Sequence, residues 1–346
     1  MSSITLTVPA RSARSYPIVV ECGAIAHIRD HLPADADGVI VLCDAALRSI
    51  ADRVSKNVDA KAVIEVRSGE ASKTLTETER LVGDLLKIGA TRKTVLINIG
   101  GGMLTDLGGF VAAVFMRGIR YIHVPTSMLC MTDAAVGGKT GVDLGETKNI
   151  IGAIHQPTAV ICDIDLLQTL PDSALREGVV EAVKMAVMLN AEDFQWYEQH
   201  LDRILVRDAD VLTECVTKAV QMKADVVSED EHEHTHRMFL NFGHTIGHAV
   251  EALSKFAIPH GQAVAIGMRA EMMLAGCADA ERVTEILKRM DMPVTIPATM
   301  DRETLWDLMR RDKKNIGGVV RMAVPTTIGS GEIQTIDHDA FLKLSA

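Results

Sequence analysis

Three histidines in the second half of the chain have spacing that suits metal ligands. His244 and His248 lie four residues apart in the segment NFGHTIGHAVE, and His260 follows in PHGQAVAIGM. Residues four apart share one face of a helix, so a single helix would direct both imidazoles to one site. Glu181 and Lys184 lie three apart in the apolar segment EGVVEAVKMAV, where a buried charge needs a partner or a metal. A catalytic divalent metal takes about three protein ligands, so spacing leaves one candidate too many among Glu181, His244, His248 and His260.

A second histidine cluster has a different context. The segment EDEHEHTHR contains His232, His234 and His236 between acidic residues. This alternation is typical of an exposed turn, and we do not expect a metal site there.

Two glycine-rich segments have the composition of anion-binding turns. In NIGGGMLTDLGGF, glycines separate a predicted strand from a helix that begins near Leu104, and free N–H groups at a helix start favour an anion. The GxGxxG pattern is absent, so this segment alone indicates a nucleotide only weakly. The segment TDAAVGGKTGVDLGETKN brings Lys139 close to glycines, as in sites that hold phosphates and carboxylates. It is not a P-loop, because Asp133 occupies the position of the first glycine.

The elements that must position these residues follow two patterns. In the first half, β-branched runs alternate with helical segments, which predicts a mostly parallel sheet covered by helices. The predicted strands are Ile4–Val8, Tyr16–Glu21, Gly38–Asp44, Ala62–Val66 and Thr94–Gly102. Thr76 and Glu79 have the spacing of a helix capping box. From Asp172 to Phe256 the pattern is helical, so we expect an α/β domain over residues 1–170 and a mainly α-helical domain over residues 171–346.

The composition limits the class of ligand. The chain has 346 residues, 3% aromatic residues and a net charge of −10, which disfavours nucleic acids and anionic membranes as partners. An anionic small molecule can still bind where cations are concentrated in one cleft. The six cysteines form no CxxC pair. The first 20 residues contain no continuous apolar signal core, and no uncharged apolar run approaches the roughly 20 residues of a membrane span. We therefore expect a cytoplasmic enzyme.

Taken in order, the segments resemble the 3-dehydroquinate synthase family of sugar-phosphate cyclases. The resemblance runs from about Ser68 to Ile328 and rests on SGEASKTL, GGGMLTDLGGFVAAVFMRGI, DAAVGGKTGVD, KNIIGAIHQP, EGVVEAVK, LNFGHTIGHAVE, HGQAVAIGM and RDKKN. It implies a Rossmann-like nucleotide-binding domain followed by a helical metal- and substrate-binding domain. It also implies that Zn²⁺ or Co²⁺ is held by Glu181, His244 and His260, while His248 serves the substrate and proton transfer.

The reaction implied by the resemblance uses and regenerates NAD. The substrate, 3-deoxy-D-arabino-heptulosonate 7-phosphate, is oxidised, loses phosphate by β-elimination, is reduced again and closes by an aldol step to 3-dehydroquinate. The resemblance further implies a homodimer in which Arg117 reaches the neighbouring site. Three alternatives stay open: a sister cyclase that acts on an amino-sugar, hexose or heptose phosphate, a metal-dependent polyol dehydrogenase, and a non-catalytic NAD-binding regulator.

The same resemblance assigns individual site residues. The positions that match substrate contacts are Arg117, Asp133, Lys139, Asn149, Lys184, Lys223, Arg237, Asn241 and His248, with one of Lys313 and Lys314. The positions that match nucleotide contacts are Asp44, Glu70, Lys73, Gly102, Met103, Leu104, Thr105, Asp106, Thr126, Ser127, Lys139, Lys148 and Thr169. One departure concerns the metal site: Gln262 replaces the usual glutamate, which predicts the loss of an outer carboxylate near His260.

Overall fold

The structure is a computed structural model that describes residues 15–145, 147–231, 236–311 and 319–344. The predicted strand Ile4–Val8 lies outside these residues. So do the candidate site residues Lys313 and Lys314, and His232 and His234 of the acidic segment.

Ten strands occur in the described part of the chain. They are β1 (Ile18–Glu21), β2 (Val39–Asp44), β3 (Ala62–Val66), β4 (Val95–Gly100), β5 (Arg120–Pro125), β6 (Lys139–Leu144), β7 (Thr147–Ile154), β8 (Ala159–Asp163), β9 (Arg321–Thr327) and β10 (Ser330–Thr335). Six of them form one sheet in the order β1-β8-β5-β4-β2-β3, and every pairing in it is parallel. The predicted parallel α/β sheet is confirmed.

Helices cover the sheet and form most of the second half. They are α1 (Arg48–Val58), α2 (Leu75–Ile88), α3 (Gly102–Val114), α4 (Asp172–Leu189), α5 (Ala191–Leu205), α6 (Ala209–Glu229), α7 (His244–Leu253), α8 (His260–Ala275), α9 (Ala280–Arg289), α10 (Arg302–Arg311) and α11 (His338–Leu342). The predicted α2 cap was wrong by two residues. The Oγ1 atom of Thr74, not Thr76, accepts the N–H of Glu77, because TLTE offers the same Thr-x-x-Glu spacing two residues earlier.

The core is continuous between the two halves. Helix α4 is buried at every residue from Gly178 to Met188, as expected for a helix that is apolar on all sides. Its side chains share a core cluster with β8 residues Val160 and Cys162. The C-terminal region is mainly helical, and it also contains the β9–β10 hairpin, which the sequence analysis did not anticipate.

Close helix packing determines where the histidines lie. A Cβ atom on Gly267 of α8 would lie 1.9 Å from the carbonyl oxygen of Gly243, and one on Gly247 of α7 would lie 3.0 Å from that of Ala263. Only glycine permits this approach of two backbones. The contact brings the first residues of α7 and α8, His244 and His260, beside each other.

The β6–β7 hairpin carries residues of the sheet half toward the helical half. Its strands pair antiparallel, and the backbones are close enough that a Cβ on Gly152 would lie 2.3 Å from the carbonyl oxygen of Thr140. Lys139, Lys148 and Asn149 all lie on this hairpin. None of the helices in the described part of the chain has the length and apolar character needed to cross a bilayer.

Candidate active site

Three side chains from three helices converge on one point. The Oε1 atom of Glu181 on α4 lies 3.7 Å from Nε2 of His244 and 3.4 Å from Nε2 of His260. Glu181 is fully buried, and its Oε1 accepts no hydrogen bond. Burial opposes ionisation of this carboxyl group, but Lys184 and the imidazoles lower its pKa well below the usual value. A buried carboxylate oxygen that faces two imidazole nitrogens has the donor set of a divalent metal site with open positions.

Both imidazoles are held by outer partners. The Nδ1 atom of His244 lies 3.0 Å from the carbonyl oxygen of Phe242, which can only accept, so Nδ1 carries the proton and Nε2 is free to bind a metal. Burial and then Lys184 lower the pKa of His244 well below its usual value. The Nδ1 atom of His260 lies 3.1 Å from Oε2 of Glu251.

His260 lies between two carboxylates. Burial opposes its protonation, yet Glu181 and Glu251 raise the pKa of His260 to about 10. The same negative field that retains a proton there attracts a divalent cation, which would replace the proton on Nε2. The residues present therefore fit a Zn²⁺ or Co²⁺ ion.

A second group of possible ligands overlaps the first. Ligand atoms of His248, Glu251 and His260 also lie within 4.8 Å of one another. Both carboxylate oxygens of Glu251 already have partners, since Oε1 lies 3.0 Å from Nζ of Lys148 and Oε2 faces His260. The ring of His248 lies beside the first group, 5.1 Å from the His244 ring centroid and 6.1 Å from that of His260. The unpartnered Oε1 of Glu181 favours the group Glu181, His244 and His260.

A polar cleft opens at the metal-binding group. It has an empty volume of about 380 Å³, part of it open to solvent, and is lined by Asp133, Lys139, Lys184, Lys223, Arg237, Leu240, Asn241 and His244. Four cationic side chains and one carboxylate line it, although the chain as a whole is acidic. Such a concentration of cations fits a substrate with more than one negative group.

Three cations of the cleft, Lys184, Lys223 and Arg237, are held by partners on its walls. Lys184 Nζ lies 2.5 Å from Oε2 of Glu181, and Lys223 donates to both the side chain and the carbonyl oxygen of Asp133. Arg237 donates to the carbonyl oxygens of Glu231 at 2.6 Å and Gly137 at 3.1 Å. These contacts hold long side chains in place before a ligand arrives.

The predicted nucleotide residues gather at the carboxyl edge of the sheet. Asp44 ends β2, the turn Gly100–Gly102 joins β4 to α3, and Thr126 follows β5. These strands are neighbours in the sheet, and parallel α/β sheets bind ligands at this edge. Met103, Leu104 and Thr105 form the first turn of α3, Ser127 follows Thr126, and Thr169 ends the 3-10 turn after β8.

Charged residues from two elements meet in the same region. Lys73 Nζ lies 2.7 Å from Asp106 Oδ2 and 3.6 Å from Glu70 Oε1. Burial raises the pKa of Asp106. The three residues that resemblance assigned separately thus form one ionic group beside the α3 N-terminus.

Three predicted substrate residues in the described part of the chain, Arg117, Asn149 and His248, do not line the cleft. Arg117 is exposed, and both it and Met116 adopt left-handed backbone angles, with φ of 67° and 49°. Asn149 has φ of 52°, and its N–H donates to Oδ1 of Asp143 at 2.7 Å. Their roles stay predictions.

Sequence reasoning missed two carboxylates that support the histidines. Glu251 lies three residues after His248, a spacing that puts both on one face of α7 and could have identified it. His260 thus has a carboxylate partner despite Gln262. Glu271 on α8 is fully buried, and it accepts the N–H groups of Gly243 at 2.7 Å and Ile246 at 2.9 Å at the start of α7. Nothing in the local sequence links Glu271 to that helix start.

The chain matches two family models that meet end to end. One describes the 3-dehydroquinate synthase N-terminal region and matches residues 63–177, and the other describes the C-terminal region and matches residues 178–315. The chain belongs to the 3-dehydroquinate synthase family. It is therefore an enzyme of the sugar-phosphate cyclase type, with the fold of that family.

Solved structures of two cyclases are similar over nearly the whole chain. One is 2-deoxy-scyllo-inosose synthase in complex with carbaglucose-6-phosphate, NAD⁺ and Co²⁺, with a TM-score of 0.87, 25% identity and coverage of 94% of this chain and 95% of that chain. The other is 2-epi-5-epi-valiolone synthase from Streptomyces hygroscopicus subsp. jinggangensis 5008 with NAD⁺ and Zn²⁺ bound. Its TM-score is 0.87, with 26% identity and coverage of 97% of both chains.

More distant structures share the fold alone. A probable glycerol dehydrogenase from Sinorhizobium meliloti 1021 has a TM-score of 0.64 at 19% identity and covers 96% of this chain and 98% of that chain. The fold therefore does not separate cyclases from dehydrogenases, and the side chains of the cleft must do so.

Proposed function

We propose that this enzyme is a 3-dehydroquinate synthase that converts 3-deoxy-D-arabino-heptulosonate 7-phosphate to 3-dehydroquinate and phosphate. The observation that carries the proposal is the juxtaposition of Glu181, His244 and His260 with a cleft lined by Lys139, Lys184, Lys223 and Arg237. A metal-binding group alone would suit a polyol dehydrogenase equally well. The cations beside it suit a substrate that carries both a phosphate and a carboxylate.

The cofactors follow from the same geometry. We propose that Glu181, His244 and His260 hold Zn²⁺ or Co²⁺, and that the carboxyl edge of the sheet near Asp44, Gly100–Gly102 and Thr126 holds NAD. When bound, NAD⁺ accepts and returns a hydride, and the metal polarises the oxygen of the alcohol that is oxidised. Similar cyclases with NAD⁺ and Co²⁺ or Zn²⁺ bound support both assignments.

The side chains of the cleft would bind and orient the substrate. Arg237 is planar and held by two carbonyl oxygens, so it suits paired hydrogen bonds to a carboxylate. Lys139 and Lys223 add positive charge on the same wall. Lys184 is held against Glu181, which places an ammonium group at the metal-binding end of the cleft.

Proton movement needs few strong bases in this arrangement. His248 lies beside the metal-binding group and is only partly buried, so it can exchange a proton with the substrate or with solvent. Cations already surround the cleft, and they stabilise negative charge that develops on substrate oxygens during elimination and ring opening.

We also propose a homodimer in which Arg117 reaches the partner's cleft. The support is its exposure and its turn, where two non-glycine residues in succession adopt positive φ. Such strain persists where the surrounding structure maintains it, and it clusters at functional sites. Light scattering of the purified protein tests the dimer, and a monomer would refute it.

A second candidate is a sister cyclase that acts on a hexose or heptose phosphate without a carboxylate. The two cyclase structures at 25% and 26% identity favour it, whereas the cation-lined cleft favours the heptulosonate.

The deciding experiment measures phosphate release from each candidate substrate with catalytic NAD⁺ and Zn²⁺ or Co²⁺. We expect release from 3-deoxy-D-arabino-heptulosonate 7-phosphate and not from hexose or heptose phosphates that lack a carboxylate. Release only from a sugar phosphate that lacks a carboxylate would identify the sister cyclase. Stoichiometric NADH without phosphate would identify a dehydrogenase.

A further inference from the structure

Glu251 contacts one candidate metal ligand, His260, and one residue whose position matches a nucleotide contact, Lys148. Its Oε2 lies 3.1 Å from Nδ1 of His260, and its Oε1 lies 3.0 Å from Nζ of Lys148. Glu251 belongs to α7, whereas Lys148 belongs to β7 of the hairpin next to the sheet. One buried carboxylate thus bridges the helical half, which carries the metal-binding group, and the half that carries the nucleotide edge.

A second side chain supports the contact between Lys148 and Glu251. Its ammonium group lies 4.2 Å from the ring centroid of Phe256, within the range of a cation–π interaction. Phe256 and Lys255 follow α7 with φ of 62° and 52°, a conformation that costs energy for a bulky residue. The turn after α7 therefore holds an aromatic face against the same ammonium group that Glu251 binds.

A third carboxylate near His260, that of Glu177, does not duplicate Glu251. Glu177 accepts the backbone N–H of Gly261 at 3.3 Å through Oε2. It thus stabilises the start of α8 without a hydrogen bond to the imidazole. Position 262, close to His260 in sequence, carries an amide in this chain.

We propose that Glu251 is a positioning residue that couples metal binding to dinucleotide binding. This inference rests on the proposed function, because it concerns the metal and nucleotide of that site. A metal on Nε2 of His260 polarises the Nδ1–H group and strengthens its hydrogen bond to Oε2. The ordered carboxylate then holds Lys148 in place at the nucleotide side. Coupling is reciprocal, so each ligand tightens the binding of the other by the same factor.

The test is a set of equilibrium titrations that do not depend on turnover. Co²⁺ is titrated into metal-free protein by visible absorption, with and without saturating NAD⁺, and NAD⁺ is titrated by calorimetry. We expect NAD⁺ to lower the Kd of Co²⁺ at least about fivefold in the unaltered protein. In Glu251→Gln, the amide has one acceptor oxygen and can serve His260 or Lys148 but not both. We expect its Kd for Co²⁺ to rise about tenfold and the NAD⁺ effect to disappear.

Two further variants separate positioning from folding. Lys148→Met leaves the contact between Glu251 and His260 intact, so the Kd of Co²⁺ without NAD⁺ should change less than about threefold while the coupling is lost. If Glu251→Gln does not fold, Lys148→Met tests the coupling between Co²⁺ and NAD⁺ binding by itself. Glu177→Gln is the matched control, a neighbouring carboxylate that should leave the coupling unchanged.

The outcomes distinguish this inference from the proposed function. Protein that binds no Co²⁺ or no NAD⁺ contradicts both. Protein that binds each ligand independently, or in which NAD⁺ weakens Co²⁺ binding, overturns the coupling role of Glu251 and leaves the proposed function standing. Coupling that survives in Glu251→Gln and Lys148→Met, or that Glu177→Gln abolishes equally, also overturns it.

Discussion

Removal of either α7 histidine distinguishes the two overlapping groups of possible metal ligands. His244→Ala deletes the Nε2 atom that lies 3.7 Å from Glu181 Oε1. His248→Ala deletes an imidazole of the second group only. The two truncations are chemically identical and lie on the same helix, so each is the control for the other.

The expected magnitudes follow from the contacts. Loss of an outer partner of a ligand costs about 10- to 100-fold in metal affinity, so loss of a ligand atom itself should raise the Kd of Co²⁺ or Zn²⁺ by at least about 100-fold. That factor corresponds to about 2.7 kcal/mol of binding free energy. His248→Ala should change the Kd less than about threefold and slow turnover.

Folding must be measured separately because His244 also supports the structure. Its Nδ1–H group donates to the carbonyl oxygen of Phe242, and loss of a hydrogen bond costs about 1 kcal/mol. Urea denaturation of the metal-free variants measures the change in the free energy of unfolding. Metal content after gel filtration measures the loss of metal binding. Equal metal loss from both variants, or greater loss from His248→Ala, would refute the choice of Glu181, His244 and His260.

Three other predictions test the structure around the site. Glu271→Ala leaves the N–H groups of Gly243 and Ile246 buried without their acceptor, so the free energy of unfolding in urea should fall by about 3 kcal/mol; an unchanged midpoint would contradict the capping role. One of the six thiols, that of exposed Cys22, should react with a thiol reagent in the native protein, because the other five are buried; rapid reaction of several would contradict the packing. Burial lowers the pKa of His123 to about 3, so below its ordinary pKa of about 6.5 the unfolded chain binds a proton that the folded one excludes. Unfolding free energy should then decrease by about 1.4 kcal/mol per pH unit from about pH 6 to about pH 3 through this group, and His123→Gln should reduce that slope; an identical slope would contradict the assignment.

Local patterns in the sequence determined much of the architecture. The runs at Gly38–Asp44, Ala62–Val66 and Thr94–Gly102 correspond to β2, β3 and β4. Strands β2 and β4 lie inside the sheet and are buried along nearly their whole length, which requires apolar runs. An apolar helix around Glu181 and Lys184 was likewise evident. Strands β5 and β8 were missed, because periodicity alone does not separate an apolar run such as AVICD from a segment of buried helix.

Only the tertiary structure decided how these elements meet. Spacing offered Glu181, His244, His248 and His260 without a choice, because distances between three helices are not encoded in the spacing within any one. The close packing of α7 on α8 at Gly243, Gly247 and Gly267 sets those distances. A bridge runs from His260 through Glu251 to Lys148, and in it Glu251 and Lys148 are 103 positions apart in the sequence. A contact of that kind depends on how segments far apart in the sequence pack together, and so no local pattern could reveal it.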